Sequence, residues 1–209
     1  MTNIISASQI QTFMYCPRAY EYAYVYKKRG SESRALRLGV LFHKRIADFL
    51  RSKTDKVKIP SPWRPAFQAV VDQLSNNLLI EHTMKGEVFN HDTIGIVDVL
   101  DIDNRKIIDW KFSKNPRPYT AQAFLYKALV KQLYNIDCDV VFAYLPANAQ
   151  IVAQATDIDI GRQHTLRFLI GRECKHNKYK FNINNPKCLA CSYNFYCMMD
   201  TGNGHNMNL

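Results

Sequence analysis

The sequence predicts an α/β fold, a central mixed sheet flanked by helices. Three observations carry that expectation. Residues 95–112, "GIVDVLDIDNRKIIDWKF", place two apolar, β-branched runs around a polar turn and read as a hairpin. Residues 139–146, "DVVFAYLP", read as a buried strand. Segments with helical spacing precede, separate and follow these two. A chain of 209 residues suits one domain, 1–209, with length enough for a substantial core.

Each element has its own signal. Residues 6–26 open with capping serines and space their apolar residues at helical intervals, which predicts one helix. "LRLGVLFHKRIADFLRS" (36–52) is a second, amphipathic helix, and residues 65–80 form a third. After the hairpin, "NPRPYT" breaks the chain, and Thr120 can cap the helix over 121–134. The strand at 139–146 has a neighbour at 150–158, then a helix over 161–174 and a cysteine-rich tail. There is no internal repeat, long linker or low-complexity stretch.

The hairpin carries charges where a core strand should be apolar. Asp109 and Lys111 share one face, while Ile108, Trp110 and Phe112 take the other. With a turn at Asp103 and Asn104, Leu100 opposes Ile107 and Asp98 opposes Asp109. Opposed residues lie on one side at about 4.5–5.5 Å, so two carboxylates there repel unless a cation sits between them. Hard divalent cations prefer such oxygens. Solvated aspartates on an open face are the plainer reading, but apolar residues on both faces and the nearby lysine favour a metal site.

Composition sets limits. The longest apolar runs are too short to span a membrane, and "MTNIISASQI" lacks the charged and apolar regions of a secretory signal. With six cysteines in a chain this long, a reducing compartment, the cytoplasm, and metal ligation fit better than a disulfide scaffold. Residues 1–65 hold 13 Lys and Arg against 4 Asp and Glu, and the rest of the chain 15 against 14. So nearly all of the +10 charge lies in the first third, which favours a polyanion such as nucleic acid as partner.

Three more residues complete a constellation. His43 in "GVLFH" is by itself an ordinary helical histidine, and Gln122 and Tyr126, four apart, an ordinary helix-face pair. In the order His43, Asp98, Asp109-x-Lys111, Gln122-x3-Tyr126 they become specific. With "GVLFH", "GIVD", "DWK" and "QAFLY", the chain resembles RecB-like members of the PD-(D/E)XK nuclease superfamily. "CPRAY" adds Cys16, and "CLACSYNFYC" adds Cys188, Cys191 and Cys197 in a C-x2-C-x5-C pattern. One cysteine near the start and three near the end resemble the CRISPR-associated RecB-like exonucleases (the fourth Cas family). The resemblance runs from Cys16 to Cys197. It departs from many relatives in having Asp109 where they have Glu, and their extra upstream glutamate could be Glu81 or Glu87 here.

The resemblance implies a restriction-endonuclease-like core that hydrolyses DNA phosphodiesters, with single-stranded or overhanging ends as substrate. Mn²⁺ or Mg²⁺ would be held by His43, Asp98, Asp109 and the Trp110 carbonyl. Lys111 would position water and stabilise the phosphorane-like charge, and Gln122 and Tyr126 would orient DNA or Lys111. The four cysteines alone allow zinc, a [4Fe–4S] cluster or no metal. The resemblance selects iron–sulfur, a clasp joining the chain ends across about 170 residues. Cys138 and Cys174 lie outside the pattern and read as ordinary cysteines. Spacer acquisition beside CRISPR adaptation proteins, and viral or mobile-element DNA processing, are both compatible roles. A non-catalytic DNA-binding adaptor and a zinc-stabilised module are the alternatives.

Overall fold

The computed structural model describes residues 4–52, 59–172 and 181–202. In chain order the elements are β1 (Ile5–Ser6), α1 (Ala7–Tyr15), α2 (Pro17–Tyr20), a π-helical turn (Glu21–Val25), α3 (Arg34–Ser52), and α4 (Arg64–Val71). There follow β2 (Leu78–Val88), β3 (His91–Asp101), β4 (Lys106–Lys111), α5 (Thr120–Tyr134), β5 (Asp139–Tyr144) and β6 (Ala149–Val152). Last come α6 (Ala155–Gly171), α7 (Pro186–Leu189) and α8 (Asn194–Gly202). They form two compact units, Thr2–Ala7 with Arg34–Gln163, and Ser8–Ser33 with His164–Leu209. Among the described residues, no helix is long and apolar enough to cross a membrane.

The first unit holds a mixed sheet ordered β1-β3-β4-β5-β6, with β2 also on β3. Helix α5 covers one face, where Leu125, Leu129 and Val130 are fully buried and Leu129 and Val130 pack with Met84, Leu100, Ile107 and Phe142. On the other face Ile46 of α3 and Phe67 and Val70 of α4 pack with Val99, Ile108, Trp110 and Val141. Cover on both faces explains why β5 reads as an unbroken apolar run.

The hairpin register matches the sequence reading. Leu100 pairs with Ile107 and Val99 with Ile108, but the ladder closes at Asp101–Lys106, so the turn spans Ile102–Arg105. Buried Asp101 ties this turn down: it accepts hydrogen bonds from Ser75 N and Oγ (3.0 and 2.6 Å) and from Asn104 N and Nδ2 (3.1 and 2.9 Å). Those bonds outweigh burial and hold its carboxyl below the usual range.

Other boundaries differ from expectation. The helix expected over 65–80 stops at Val71, and 78–88 is the strand β2, because pairing along the whole of β3 overrides local helical spacing. The strand expected at 150–158 keeps only Ala149–Val152, and α6 starts at Ala155. Tyr119, rather than Thr120, takes the cap position of α5. The first helix breaks at Cys16, extended at φ −162° and ψ 117°, because a residue before proline is driven out of the α region.

In the second unit, Phe13, Tyr20 and Phe168 form an edge-to-face cluster with centroids 5.3–5.8 Å apart. The early and late segments of the chain are joined there by several contacts. Tyr15 Oη donates to the Lys187 carbonyl (2.6 Å), Arg18 pairs with Asp200 (2.6 Å), and Tyr22 stacks on Tyr193.

Candidate active site

A local defect in the sheet creates the site. β2 occupies one edge of β3 along its length, so β1 and β4 share the other, at Thr93–Ile94 and at Val99–Asp101. Between them β3 is without a ladder partner on that edge among the described residues. At the same level the side-chain alternation inverts. Gly95 and Val97 face α5, and so does Leu100, whereas Val99 faces α3 and α4. Directly across on β2, Glu81 falls between the pairs Ile80–Val99 and His82–Val97 and adopts a left-handed backbone, φ 49°. That conformation is rare outside glycine and is held here by the surrounding ladder.

The defect gathers donors. Asp98 Oδ2 accepts the Trp110 amide (2.7 Å), substituting for the missing ladder bond, and Oδ1 lies 3.0 Å from His43 Nδ1 on α3. One donor atom each from His43, Glu81 and Asp98 lie within 4.8 Å of one another. Burial would lower the His43 imidazole, but the Asp98 hydrogen bond and charge outweigh it and raise it. Burial, then the Asp98 charge, raises Glu81. Glu87, by contrast, is exposed. So of the two glutamates left open by the sequence, the structure puts Glu81 at the site.

Asp109 is placed differently from the expected opposition to Asp98. The alternation change turns Asp98 toward α3, while Asp109 joins a network with α5. Lys111 Nζ pairs with Asp109 Oδ1 at 2.6 Å and donates to Gln122 Oε1 at 2.9 Å. Gln122 Nε2 donates to Asp109 Oδ2 and to Tyr126 Oη, and Tyr126 Oη donates to the Ile96 carbonyl. Burial first and the Asp98 charge second push Asp109 up to about 6, with Lys111 and His43 opposing. Tyr126 is pushed well above its ordinary value, mainly by burial. The Trp110 ring is in the core, packed near Phe67. His43, Glu81, Asp98, Asp109, Lys111, Gln122 and Tyr126 all line one cleft of about 600 Å³, with Lys44 and Arg51 of α3 at its wall. A hard divalent cation suits this mixed carboxylate and imidazole set.

The second unit has a separate feature. Cys16, Cys188, Cys191 and Cys197 line one cavity of about 420 Å³ together with Arg18 and Tyr22. The Cys16 break at Pro17 and the short α7, capped by Asn185 through the Lys187 amide, present these thiols. Burial first, then the neighbouring thiols, raises Cys191, and burial raises Cys197. Cys138 is buried in the first unit, as an ordinary core cysteine would be, and Cys174 lies outside the described residues.

Residues 4–91 match the PD-(D/E)XK nuclease superfamily. That span includes His43 and Glu81 and ends at His91, the first residue of β3, short of Asp98 and Asp109. Among solved structures, the chain is similar to a protein from Eubacterium rectale described as a "putative exonuclease", 13% identical, with a TM-score of 0.53 over 90% of this chain and 93% of that one. At that identity the likeness shows the fold. A second solved structure, SSO0001, is 14% identical with a TM-score of 0.43, covering 94% of this chain and 87% of that one. No curated protein matches the chain. The mixed sheet with helices on both faces is consistent with a PD-(D/E)XK core.

Sequence reading did not single out Tyr119, whose ring centroid stands 4.0 Å from Lys111 Nζ. Only its place in "PRPYT", between the breaker and a helix, could have marked it.

Proposed function

We propose that the chain is a single nuclease domain, residues 1–209, that hydrolyses DNA phosphodiesters with a divalent cation. The observation that carries this reading is the convergence of His43, Glu81 and Asp98 beside the Asp109–Lys111–Gln122–Tyr126 network in one cleft. His43, Glu81, Asp98 and Asp109, with the Trp110 carbonyl, would hold Mn²⁺ or Mg²⁺. When bound, the cation supplies charge neutralisation at the phosphate and lowers the pKa of water. Gln122 holds Lys111 and Asp109 in fixed relation, leaving the ammonium to stabilise charge that develops on the phosphate. Tyr126 anchors Gln122 to the β3 backbone. Basic α3, with Lys44 and Arg51 on the cleft, supplies phosphate contacts without sequence preference.

The same proposal assigns Cys16, Cys188, Cys191 and Cys197 to a [4Fe–4S] cluster. The gathering of the four thiols around one cavity is compatible with a shared metal centre, and the choice of iron–sulfur over zinc rests on the motif resemblance. Single-stranded or overhanging ends, in CRISPR spacer acquisition or mobile-element DNA processing, are the finer part of the proposal, resting on the motif resemblance. The test is degradation of a labelled single strand by anaerobically purified protein with Mn²⁺, stopped by EDTA. Equal activity in EDTA overturns the metal role, and tight DNA binding without cleavage selects the adaptor alternative.

A further inference from the structure

Lys111 is closely surrounded. Its side chain is only 16% exposed, and its ammonium meets Asp109 Oδ1 at 2.6 Å and Gln122 Oε1 at 2.9 Å. A third side is closed by the Tyr119 ring, with Nζ 4.0 Å from the centroid, and Phe142 stands behind at 5.4 Å. At 4.0 Å the ammonium lies over the ring face, where the quadrupole attracts a cation.

The ring is itself held. Tyr119 is the cap residue of α5, and its carbonyl accepts the Ala123 amide at 2.9 Å. The loop leading into it is latched from the sheet: Tyr144 Oη accepts the Arg117 amide (3.1 Å) and donates to the Arg117 carbonyl (2.5 Å). Tyr144 is 1% exposed, so the latch is rooted in the core. The Arg117 guanidinium lies 5.2 Å from the same ring, and Phe142 packs on it at 5.6 Å.

We propose that Tyr119 is a positioning residue whose ring face holds the Lys111 ammonium in its working place. The proposal rests on the nuclease reading. Its physical reason is competition for Asp109. A cation drawing on that carboxylate weakens the Lys111 ion pair, and Lys111 then depends on Gln122 and the ring. The ring attracts the ammonium without accepting its protons as a carboxylate would, so all three N–H groups stay free for Gln122, water and phosphate. The phenol hydroxyl has no part in this; the π face does.

The test compares Tyr119→Phe with Tyr119→Leu. Leucine keeps apolar bulk but has no π face, so kcat on a short single-stranded oligonucleotide with Mn²⁺ should fall about tenfold while KM holds. Phenylalanine should restore kcat to within about twofold, since it retains the quadrupole. A second readout needs no activity. With Nζ 4.0 Å from the ring centroid, the adjacent Lys111 ε-methylene protons should be shifted upfield by the ring current in the side-chain NMR spectrum of the wild type and Tyr119→Phe, but not in Tyr119→Leu. Full kcat in Tyr119→Leu, or a Tyr119→Phe as slow as Tyr119→Leu, overturns the proposal. If the wild type cleaves nothing, the nuclease reading fails by itself, and the NMR shift still decides: its absence in the wild type removes the ring contact.

Discussion

Asp98 has two tasks that one pair of substitutions separates. Its Oδ2 accepts the Trp110 amide at the split in the sheet, and its Oδ1 faces His43 in the donor group. Asp98→Asn keeps a carbonyl oxygen that can accept the Trp110 amide but removes the charge. Asp98→Ala removes both and strands a buried N–H. That omission costs about 2 kcal/mol, and in a domain of this size lowers Tm by about 4–8 °C. Asn should therefore melt close to the wild type and Ala clearly below it. Both should lose about 10²-fold or more in DNA cleavage, the scale of losing a preorganised charge stabiliser. The assays are thermal unfolding by circular dichroism and single-turnover cleavage with Mn²⁺. If Asn melts as low as Ala, charge rather than the hydrogen bond holds the split. If Asn cleaves at the wild-type rate, Asp98 is not part of the chemistry.

Lys111→Ala should cut cleavage by about 10²-fold with DNA affinity by fluorescence anisotropy nearly unchanged, because the basic surface carries most of the binding. Asp101 has a folded pKa below its unfolded one, so its stabilisation is present above about pH 4 and is lost as pH falls through the folded value. The Tm advantage of wild type over Asp101→Asn should accordingly shrink on acidification, and a constant difference would rule that out. Cys16→Ala should abolish absorption near ~400 nm if an iron–sulfur cluster is present. By the disulfide analogy it should also destabilise the fold by about 2–5 kcal/mol, while Mn²⁺ titration of the folded fraction stays normal.

What could be read from the sequence follows from how local each determinant is. The hairpin register was legible because two alternating runs and a polar turn leave few ways to pair, and Leu100–Ile107 followed directly. The helix carrying His43 was legible from its amphipathic spacing. Strand β2 was not. Among the described residues it pairs only with β3, its alternation inverts at Glu81, and its "LL" start continues the pattern of the helix before it. The same inversion hid the choice between Glu81 and Glu87, and it is why Asp98 and Asp109 are not set face to face as an unbroken ladder would set them. The kink at Cys16 could have been drawn from Pro17, since the restriction is local. Tyr119 could not, because its partner Lys111 is defined only once the loop is latched to Tyr144.

Glu81 gives the molecule an opportunity to be more stable than it is. A left-handed backbone penalises any residue with a Cβ by about 1–2 kcal/mol, and glycine would adopt φ 49° freely. Glu81→Gly should therefore raise Tm, or leave it level once glycine's extra unfolded-chain entropy is counted, while removing a carboxylate from the cleft. On the nuclease reading, a glutamate at this strained position trades stability at one residue for a second carboxylate beside His43 and Asp98. Selection for heat resistance alone should find this site early, and its cost would be read in Mn²⁺ affinity.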